Sequence, residues 1–295
     1  MNTQKFDVIV IGGGASGLFL ASQLPPSMRV AVVESNERVG KKLLATGNGK
    51  CNLTNLDMNI VHYNKPSFVE SFLDRFDAHD TIATFEKMGL VTKVIDKRVY
   101  PYSECASTVL DVLRKALERN ATQVFTSHFV NSVESFNDAF TVSGIVKVEG
   151  KPNQSFAYDS DVVVLATGSP ATFGKDSTAL YVALGHHARA MTPSLVPIKT
   201  NKEPLKNLQG VRVKAGVRIG YRYETGEVLF KDFGVSGIAA FNLSSEIARG
   251  RAKIGDMLTI DFMPEYSKAE VEDILTKRNN NGTVAELLLG TFHSK

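Results

Sequence analysis

The sequence predicts an α/β protein, in which a parallel sheet flanked by helices is followed by a smaller β-rich region. The first observation is the segment 6-FDVIVIG-12, a continuous apolar run typical of a buried parallel strand. The second is 29-RVAVVE-34, which predicts another such strand after an intervening helical pattern. The third is a change in the residue pattern after Pro193, where polar and apolar residues begin to alternate. The sequence therefore begins with a β-α-β unit.

The first helix is predicted to run from about Ala15 to Leu24, because Pro25 and Pro26 cannot continue it. More helices and strands are predicted before residue 191, the helices from apolar residues three and four positions apart. The predicted helices are 67–89 and 106–119, and the predicted strands lie near 123–135, 139–150 and 161–168.

The second region is predicted to be a small antiparallel sheet or barrel. Its clearest segment is the alternating run 211-VRVKAGVRIGYRY-223, with a turn expected at 225-TG-226. From 267 to 278 the pattern returns to helix, with Ser267 as the N-cap and Glu270 three residues later. The predicted domains are 1–191, 192–266 and 267–295, the last being the start of a helical subdomain.

The bulk composition disfavours several classes of protein. A formal net charge of +3 is too small to argue for nucleic acid or a membrane surface as the main partner. The two cysteines, Cys51 and Cys105, do not indicate a disulfide framework. The run 8-VIVIG-12 is too short for a signal peptide, and no segment approaches the ~20 apolar residues of a membrane span. We therefore expect a cytoplasmic protein that has neither nucleic acid nor a membrane as its main partner.

The glycine cluster after the first strand fits the pattern G-x-G-x-x-G over residues 12–17. In this pattern Gly12 allows a tight turn, Gly14 lets the backbone approach a pyrophosphate, and Gly17 permits close packing of helix on strand. The N-terminus of the following helix, at Ala15 and Ser16, supplies unpaired N–H groups to the phosphates. The placement between strand and helix therefore predicts a dinucleotide site.

Glu34 supports the same prediction, because it ends the second strand 22 residues after Gly12. A carboxylate at this position accepts hydrogen bonds from the ribose hydroxyls of an adenosine and repels a 2′-phosphate. The alternative is a glycine-rich turn that binds nothing, and that alternative does not explain Glu34.

The segment 41-KKLLATGNGKCNLTN-55 also suggests phosphate binding, but it is not a P-loop. That motif needs a glycine where Leu44 stands and Ser or Thr where Cys51 stands. We expect instead that the loop runs back over the cofactor, with Lys41, Lys42 and Lys50 offsetting pyrophosphate charge. A solvated mobile loop remains the alternative.

Other candidate sites are weaker. Cys51 has no C-x-x-C partner, and His186 and His187 have no Cys or Asp cluster at metal-ligand spacing, so no metal is expected. Ser236 does not lie in a G-x-S-x-G motif. Four basic residues alternate along one strand face, which is more typical of a solvated face than of a nucleic-acid site: Arg212, Lys214, Arg218 and Arg222.

The segment 40-GKKLLATGNGKCNLTN-55, after GGGASG and a strand-ending glutamate, resembles the signature of a bacterial flavoprotein family. Its members are known as NAD(P)/FAD-dependent oxidoreductases, or as aminoacetone-oxidase-like or BaiN-like proteins. Further matching segments extend the resemblance over nearly the whole chain, in the right order. They are 99-VYPYSECASTVLDVL-113, 162-VVVLATGSPATFGKDSTALYVALGHH-187, 193-PSLVPI-198 and 226-GEVLFKDFGVSGIAAFNLS-244.

The resemblance implies a glutathione-reductase-type FAD domain with an inserted small β-barrel and helical subdomain. It implies an FAD-dependent oxidoreductase that passes hydride or electrons from a donor, NAD(P)H, to an organic acceptor or to oxygen. The resemblance also implies the residues of the FAD site. The pyrophosphate and ribose would be bound by Gly12, Gly14, Ala15, Ser16, Gly17, Glu34 and Ser35, and the adenine by the backbone of Val130. Lys42, Asn52, Leu53 and Thr54 would lie towards the flavin half, and the turn of Ala166, Thr167 and Gly168 would pack against the cofactor.

The chain also departs from the family pattern. Family members continue to a Gly-Glu-x-x-Asp strand and a Gly-Gly-Tyr-Asn turn, and neither motif occurs here. The ending 285-AELLLGTFHSK-295 therefore predicts a truncated chain, with an apolar surface left open that favours self-association. The alternative function is a non-catalytic nucleotide-binding remnant. The sequence identifies no catalytic acid or base.

Overall fold

A computed structural model describes residues 3–171, 176–278 and 282–292. Residues 172–175, within the 162–187 segment of the resemblance, lie outside the described residues, as do 279–281 and 293–295. The chain divides into two units, Met1–Arg189 and Ala190–Lys295.

The first unit contains both helices and strands. Its strands are β1 (Gln4–Ile11), β2 (Val30–Val33), β3 (Thr54–Asn55), β4 (Thr92–Ile95), β5 (Arg98–Pro101), β6 (Gln123–Phe125), β7 (His128–Phe136), β8 (Ala139–Val146) and β9 (Gln154–Leu165). Its helices are α1 (Ala15–Gln23), α2 (Pro66–Leu73), α3 (Ala78–Lys87), α4 (Ala106–Arg119) and α5 (Thr178–Ala183).

The main sheet has six strands in the order β6-β2-β1-β9-β8-β7. Strands β6, β2, β1 and β9 are parallel, and β8 is antiparallel to both β9 and β7. The fully apolar strand β2 is buried along its whole length, as expected for a central parallel strand. The predicted α/β class and β-α-β beginning are thus confirmed.

The sheet has a parallel half, formed by β6, β2, β1 and β9, and an antiparallel half, formed by β8 and β7, and it folds back on itself between them. Strands β6 and β7 lie at opposite ends of the strand order, yet only residues 126 and 127 separate them. A link this short spans about 10 Å, which is the distance between two packed sheet layers. The N–H of His128 at the start of β7 also donates to the carbonyl of Glu34 at the end of β2, at 2.9 Å. A buried core containing Ile9, Val33, Val130 and Val142 includes residues from both halves.

On the parallel half, a second core packs helices α1 and α4 against the strands. Leu18 of α1, together with Leu110 and Leu113 of α4, packs with Val10 and Val32 of the sheet, and each is at most 2% exposed. Because α1 is held in this way, the glycine turn before it has a fixed position relative to β1.

Three details of the first unit differ from the sequence prediction. The predicted helix 67–89 is two helices, because Asp77 caps α3 by accepting from the N–H groups of His79 and Asp80. The predicted strand 123–135 is two strands, because Ser127 adopts a φ of 58°. The hairpin of β4 and β5 was not predicted; its turn residues Asp96 and Lys97 both have positive φ, as a tight hairpin requires.

The second unit contains a five-stranded antiparallel sheet in the order β10-β13-β12-β11-β14. Its elements are β10 (Ile198–Lys199), β11 (Arg212–Ile219), β12 (Arg222–Lys231), β13 (Gly234–Ser236), α6 (Ile238–Ala248), β14 (Leu258–Asp261), α7 (Lys268–Arg278) and α8 (Val284–Leu288). Helix α6 packs on the sheet through Ala239, Ala240 and Leu243.

The predicted turn at 225-TG-226 is wrong. These residues lie inside β12, and the turn that joins β11 to β12 is Gly220-Tyr221. Gly226 is needed for packing rather than for a turn, because a Cβ there would lie 2.5 Å from Cγ2 of Ile238 in α6. The predicted cap of α7 is confirmed: Oγ of Ser267 accepts from the N–H of Glu270 at 3.3 Å, and the N–H of Ser267 donates to the Glu270 carboxylate at 2.7 Å.

Candidate functional site

The glycine turn between β1 and α1 is fixed by contacts that allow no side chain. Gly12 has a φ of +116°, and a Cβ there would lie 2.4 Å from the carbonyl oxygen of Ala166. A Cβ on Gly17 would lie 2.0 Å from the carbonyl oxygen of Gly12. Both glycines therefore bring backbone into contact with backbone, which is the geometry that the G-x-G-x-x-G pattern predicts.

Gly14 differs from these two glycines, because a Cβ there meets no described atom within 4 Å. It is the N-cap of α1, and it supplies no capping side chain, while the first turn of the helix contains no acidic residue. Ala15 and Ser16 are exposed beside it. The positive end of the helix dipole thus borders open space. This arrangement fits a diphosphate that approaches the backbone.

Glu34 lies against the glycine turn. Its side chain is 8% exposed, and its Oε2 accepts from the N–H of Gly13 at 2.8 Å. Its Oε1 accepts from the backbone N–H of Asn36 at 2.7 Å, from the Asn36 side-chain amide at 2.6 Å and from the Ser35 hydroxyl at 3.3 Å. The structure therefore places a carboxylate beside the turn, where a ribose next to the diphosphate would need it.

The loop after β2 returns to the glycine turn, as the sequence predicts. The N–H of Gly40 donates to the carbonyl of Gly13 at 2.7 Å. Two residues later, Nζ of Lys42 donates to the carbonyl of Ser169 at 2.7 Å. Gly168, with a φ of +71°, lies beside this ammonium, which is 3.2 Å from the position of a Cβ there. The loop is thus attached both to the turn and to the segment after β9.

The side chains in the second half of this loop are directed towards the protein itself. The Asn52 amide donates to the carbonyls of Thr54 and Val99, at 2.9 and 3.0 Å. The Thr54 hydroxyl lies 3.1 Å from Sδ of Met58, and the N–H of Leu53 donates to Val99 at 2.8 Å. These contacts shape the loop.

Lys50 does not have the role expected from the sequence. Its ammonium pairs with Oε2 of Glu104, while Lys93 Nζ lies 2.6 Å from Oε1 of the same carboxylate. Hydrogen bonds from Lys50 and Lys93 lower the pKa of Glu104 to about 2. The Lys50 charge therefore ties the loop to the segment before α4 rather than standing free to neutralise a diphosphate.

The segment Ala166-Thr167-Gly168 packs against the glycine turn. The N–H of Ala166 donates to the carbonyl of Ile11 at 2.8 Å, which extends the pairing of β1 and β9 up to the turn. The Thr167 hydroxyl bonds to the hydroxyls of Ser177 and Tyr181, so it faces the region of α5.

Val130 lies on β7, two residues after the bond between His128 and Glu34. Its side chain is 8% exposed and belongs to the core between the two halves of the sheet. Backbone is therefore the part of Val130 that remains for a ligand. The folded-back sheet brings Glu34 and the start of β7 together, although almost 100 residues separate them in sequence.

The two cysteines have different environments. Cys51 is buried, and burial raises the pKa of its thiol. Cys105 is exposed at the N-cap of α4, and hydrogen bonding from the Ser107 hydroxyl is the main cause of its lowered pKa. Among the described residues, no group of three or more His, Cys, Asp and Glu side chains could hold a metal ion.

Sequence reasoning missed two residues of this region. Asn36 was not predicted, although its place two residues after the strand-ending acid was an available signal. Glu104 was not predicted either, because its partners Lys50 and Lys93 are distant in sequence.

Over the described ranges, no helix combines the length and apolar character that crossing a membrane requires.

Comparison with known proteins extends these observations. A family model described as the HI0933-like protein Rossmann domain matches residues 6–243. A second model, the HI0933-like protein barrel and H2TH domain, matches residues 192–295. The two matches together reach from the first strand to the last residue.

Curated relatives match over nearly the same length. The chain is 32% identical over 304 aligned residues to the 3-dehydro-bile acid delta(4,6)-reductase of Clostridium scindens, covering 97% of this chain and 72% of the relative. It is 26% identical to the ribosomal RNA dihydrouridine synthase of Haemophilus influenzae, covering 91% of this chain and 67% of that protein. Among solved structures, Thermovibrio ammonificans THI4 aligns at 16% identity with a TM-score of 0.40, covering 80% of this chain and 78% of THI4.

Proposed function

Because the chain belongs to the HI0933-like family of FAD-dependent oxidoreductases, we propose that it binds FAD at the glycine turn and reduces a small organic molecule. The observation that carries the proposal is the open space in front of Gly14, with the Glu34 carboxylate bonded to the adjacent Gly13. A diphosphate and the neighbouring ribose require these two features side by side.

The roles that we propose for the individual residues follow the family resemblance. Gly12 and Gly17 shape the turn, while the backbone of Gly14, Ala15 and Ser16 binds the diphosphate. Glu34, with Ser35 beside it, binds the adenosine ribose. The backbone of Val130 would contact the adenine. Lys42 and the turn Asn52-Leu53-Thr54 would lie towards the flavin half, and the segment Ala166-Thr167-Gly168 would pack against the cofactor.

The reaction class that we propose is the reduction of a carbon–carbon double bond conjugated to a carbonyl group. A delta(4,6)-reductase saturates such bonds in a steroid, and a dihydrouridine synthase saturates one in a uracil ring. When bound, the flavin supplies the hydride, and NAD(P)H is the proposed donor. A second G-x-G-x-x-G does not occur in the sequence, so the nicotinamide nucleotide would bind only transiently.

The test begins with the colour of the purified protein. We expect a yellow protein that releases FAD on denaturation and is bleached by NADH or NADPH without oxygen. A conjugated 4-en-3-one steroid, added anaerobically as a probe, should restore the colour. Recovery of colour only on admitting air would make oxygen the acceptor instead. A colourless protein that binds ADP but not FAD would contradict the proposal and favour a non-catalytic nucleotide-binding protein.

A pair of glycine variants tests the site directly. Gly14→Ala adds a Cβ in open space, so the protein should fold with nearly unchanged stability and lose at least tenfold in affinity for FAD and ADP. Gly17→Ala adds a Cβ against the carbonyl of Gly12 and should lower the free energy of unfolding by about 2 kcal/mol or more. Unchanged FAD affinity in Gly14→Ala would show that the diphosphate binds elsewhere.

We also propose self-association through an open strand edge. Strand β9 pairs with β8 only up to Ser160 but with β1 up to Leu165, which leaves one edge of residues 161–165 unpaired among the described strands. Val162 on this edge is 49% exposed, and a cavity of about 600 Å³ lined by Phe140, Leu165 and Leu184 adjoins it. Exposed strand edges favour pairing between chains.

Sedimentation across a range of concentrations measures this association. The unmodified chain should dimerise as its concentration rises, whereas Val162→Lys, which places a charge on the edge, should stay monomeric. A chain that is monomeric at every concentration would refute the proposal. The cytoplasmic location stays a prediction from the sequence.

A further inference from the structure

The carboxylate of Glu34 accepts hydrogen bonds from four donors of the protein itself, unequally divided between its two oxygens. Gly13 N–H donates to Oε2 at 2.8 Å. The backbone N–H and the side-chain amide of Asn36 donate to Oε1 at 2.7 and 2.6 Å, and the Ser35 hydroxyl donates at 3.3 Å. Each carboxylate oxygen offers about two lone-pair positions, so Oε1, with three donors, is fully occupied, whereas Oε2, with one donor, keeps one position free. One ribose hydroxyl can therefore bond to Oε2, but a second can bond to Oε1 only if a donor there leaves.

Two of the four donors are fixed in place by the backbone. Gly13 belongs to the turn between β1 and α1, and its carbonyl is bonded to the N–H of Gly40 at 2.7 Å. The turn at Asn36 is held because its carbonyl accepts from Ser127 N–H at 2.8 Å. Neither N–H group can leave the carboxylate without unfolding a turn.

The other two donors are side chains, and each can leave by rotation about its own bonds. Ser35 and Asn36 are both half-buried, so each has solvent on one side. The Ser35 contact at 3.3 Å is long for a hydroxyl donor, whereas the Asn36 contact at 2.6 Å is short and charge-assisted. The Asn36 amide is thus the stronger of the two movable donors.

We propose that the Asn36 side chain, assisted by Ser35, is an exchangeable ligand of Glu34 Oε1 that a ribose hydroxyl replaces when an adenosine diphosphate group binds. The inference rests on the proposed function, because it takes Glu34 as the ribose ligand. Asn36 keeps the buried carboxylate bonded in the free protein and competes with the nucleotide for it. Only a ligand with ribose hydroxyls compensates for the released donors, so Asn36 contributes to ligand specificity.

The alternative is that Asn36 only stabilises the turn after β2. The two roles predict opposite effects of removing the amide. An exchangeable ligand opposes nucleotide binding, so its removal strengthens binding by the net contribution of one intramolecular hydrogen bond. A residue that shapes the site supports binding, so its removal weakens it.

The experiment measures ADP affinity by calorimetry on the full chain freed of bound flavin. We compare the unmodified protein, Asn36→Ala and Asn153→Ala, the last being an exposed asparagine in the β8–β9 connection. The second ligand is 2′,3′-dideoxy-ADP, which lacks both ribose hydroxyls. Asn36→Ala should bind ADP about threefold to tenfold more tightly, and should bind the dideoxy analogue no more tightly than the unmodified protein does. Asn153→Ala should change neither affinity.

Three outcomes overturn the inference. Weaker ADP binding by a folded Asn36→Ala variant would make Asn36 a residue that supports the site. An equal gain for ADP and the dideoxy analogue would show that the effect does not involve the ribose hydroxyls. If the unmodified folded protein binds no ADP, the proposed function itself fails. Thermal melting confirms folding, and Asn36→Leu, which keeps a side chain of similar size without a donor, serves the same test if Asn36→Ala is not recovered folded.

Discussion

At the scale of single residues, the two thiols show how position determines reactivity. Cys51 packs in the core under the loop after β2, where burial favours its neutral form. Cys105 lies exposed at the start of α4, where the Ser107 hydroxyl favours the thiolate. The sequence alone gave no reason to distinguish the two, because burial depends on packing with residues far along the chain.

We expect iodoacetamide to alkylate Cys105 much faster than Cys51 in the folded protein at neutral pH, because the thiolate is the reactive form. Peptide mass spectrometry after timed quenching measures both rates. Cys105→Ser removes the fast reaction and serves as the control. Equal rates in the folded protein would contradict the burial of Cys51, and addition of urea should make the two rates converge.

At the scale of elements, Glu104 joins three segments that are distant in sequence. Its carboxylate pairs with Lys50 in the loop after β2 and with Lys93 in β4, while its own backbone, with a φ of +50°, leads into α4. A positive φ in a residue with a side chain is uncommon and costs free energy, which the surrounding contacts offset.

The pH dependence of stability tests this bridge. The folded pKa of Glu104, about 2, lies below the ordinary value of 4.5, so its stabilising contribution is present above about pH 4.5 and is lost as the pH falls towards 2. Glu104→Gln should lower the urea midpoint at pH 7, and the difference from the unmodified protein should shrink below pH 4.5. A difference that stays constant down to pH 2.5 would contradict the ion pairs.

The elements of the parallel half could be predicted from the sequence because their patterns are local. The apolar runs of β1 and β2, the glycine turn and the two prolines after α1 each identify a structure within a few residues. The predictions that failed concern residues whose roles depend on tertiary contacts. The sequence suggested that Gly226 lies in a turn, but it lies in β12, where the packing of Ile238 leaves no room for a side chain. The place of Asn36, two residues after Glu34, was visible in the sequence, but its hydrogen bond to the carboxylate depends on the direction of both side chains.

At the scale of the whole molecule, the chain between the two units is accessible. Residues 185–196 are all exposed, and this stretch contains Arg189. We expect limited trypsin digestion to cut first after Arg189, giving fragments that correspond to the units Met1–Arg189 and Ala190–Lys295. Mass spectrometry of the first products checks this. Arg189→Gln should delay the cut, and a first cut inside either unit would contradict the division.

The pairing of β1 with β9 has a consequence for the nascent polypeptide. Val8 pairs with Val162, so 154 residues must be added by the ribosome before this neighbour of the first strand exists. At about 5 to 20 residues per second this takes on the order of 8 to 30 s. Throughout that interval β1, whose Ile9 and Val10 are fully buried in the finished fold, emerges with one side unprotected. We therefore expect this apolar segment to be open to non-native contacts until β9 has been synthesised.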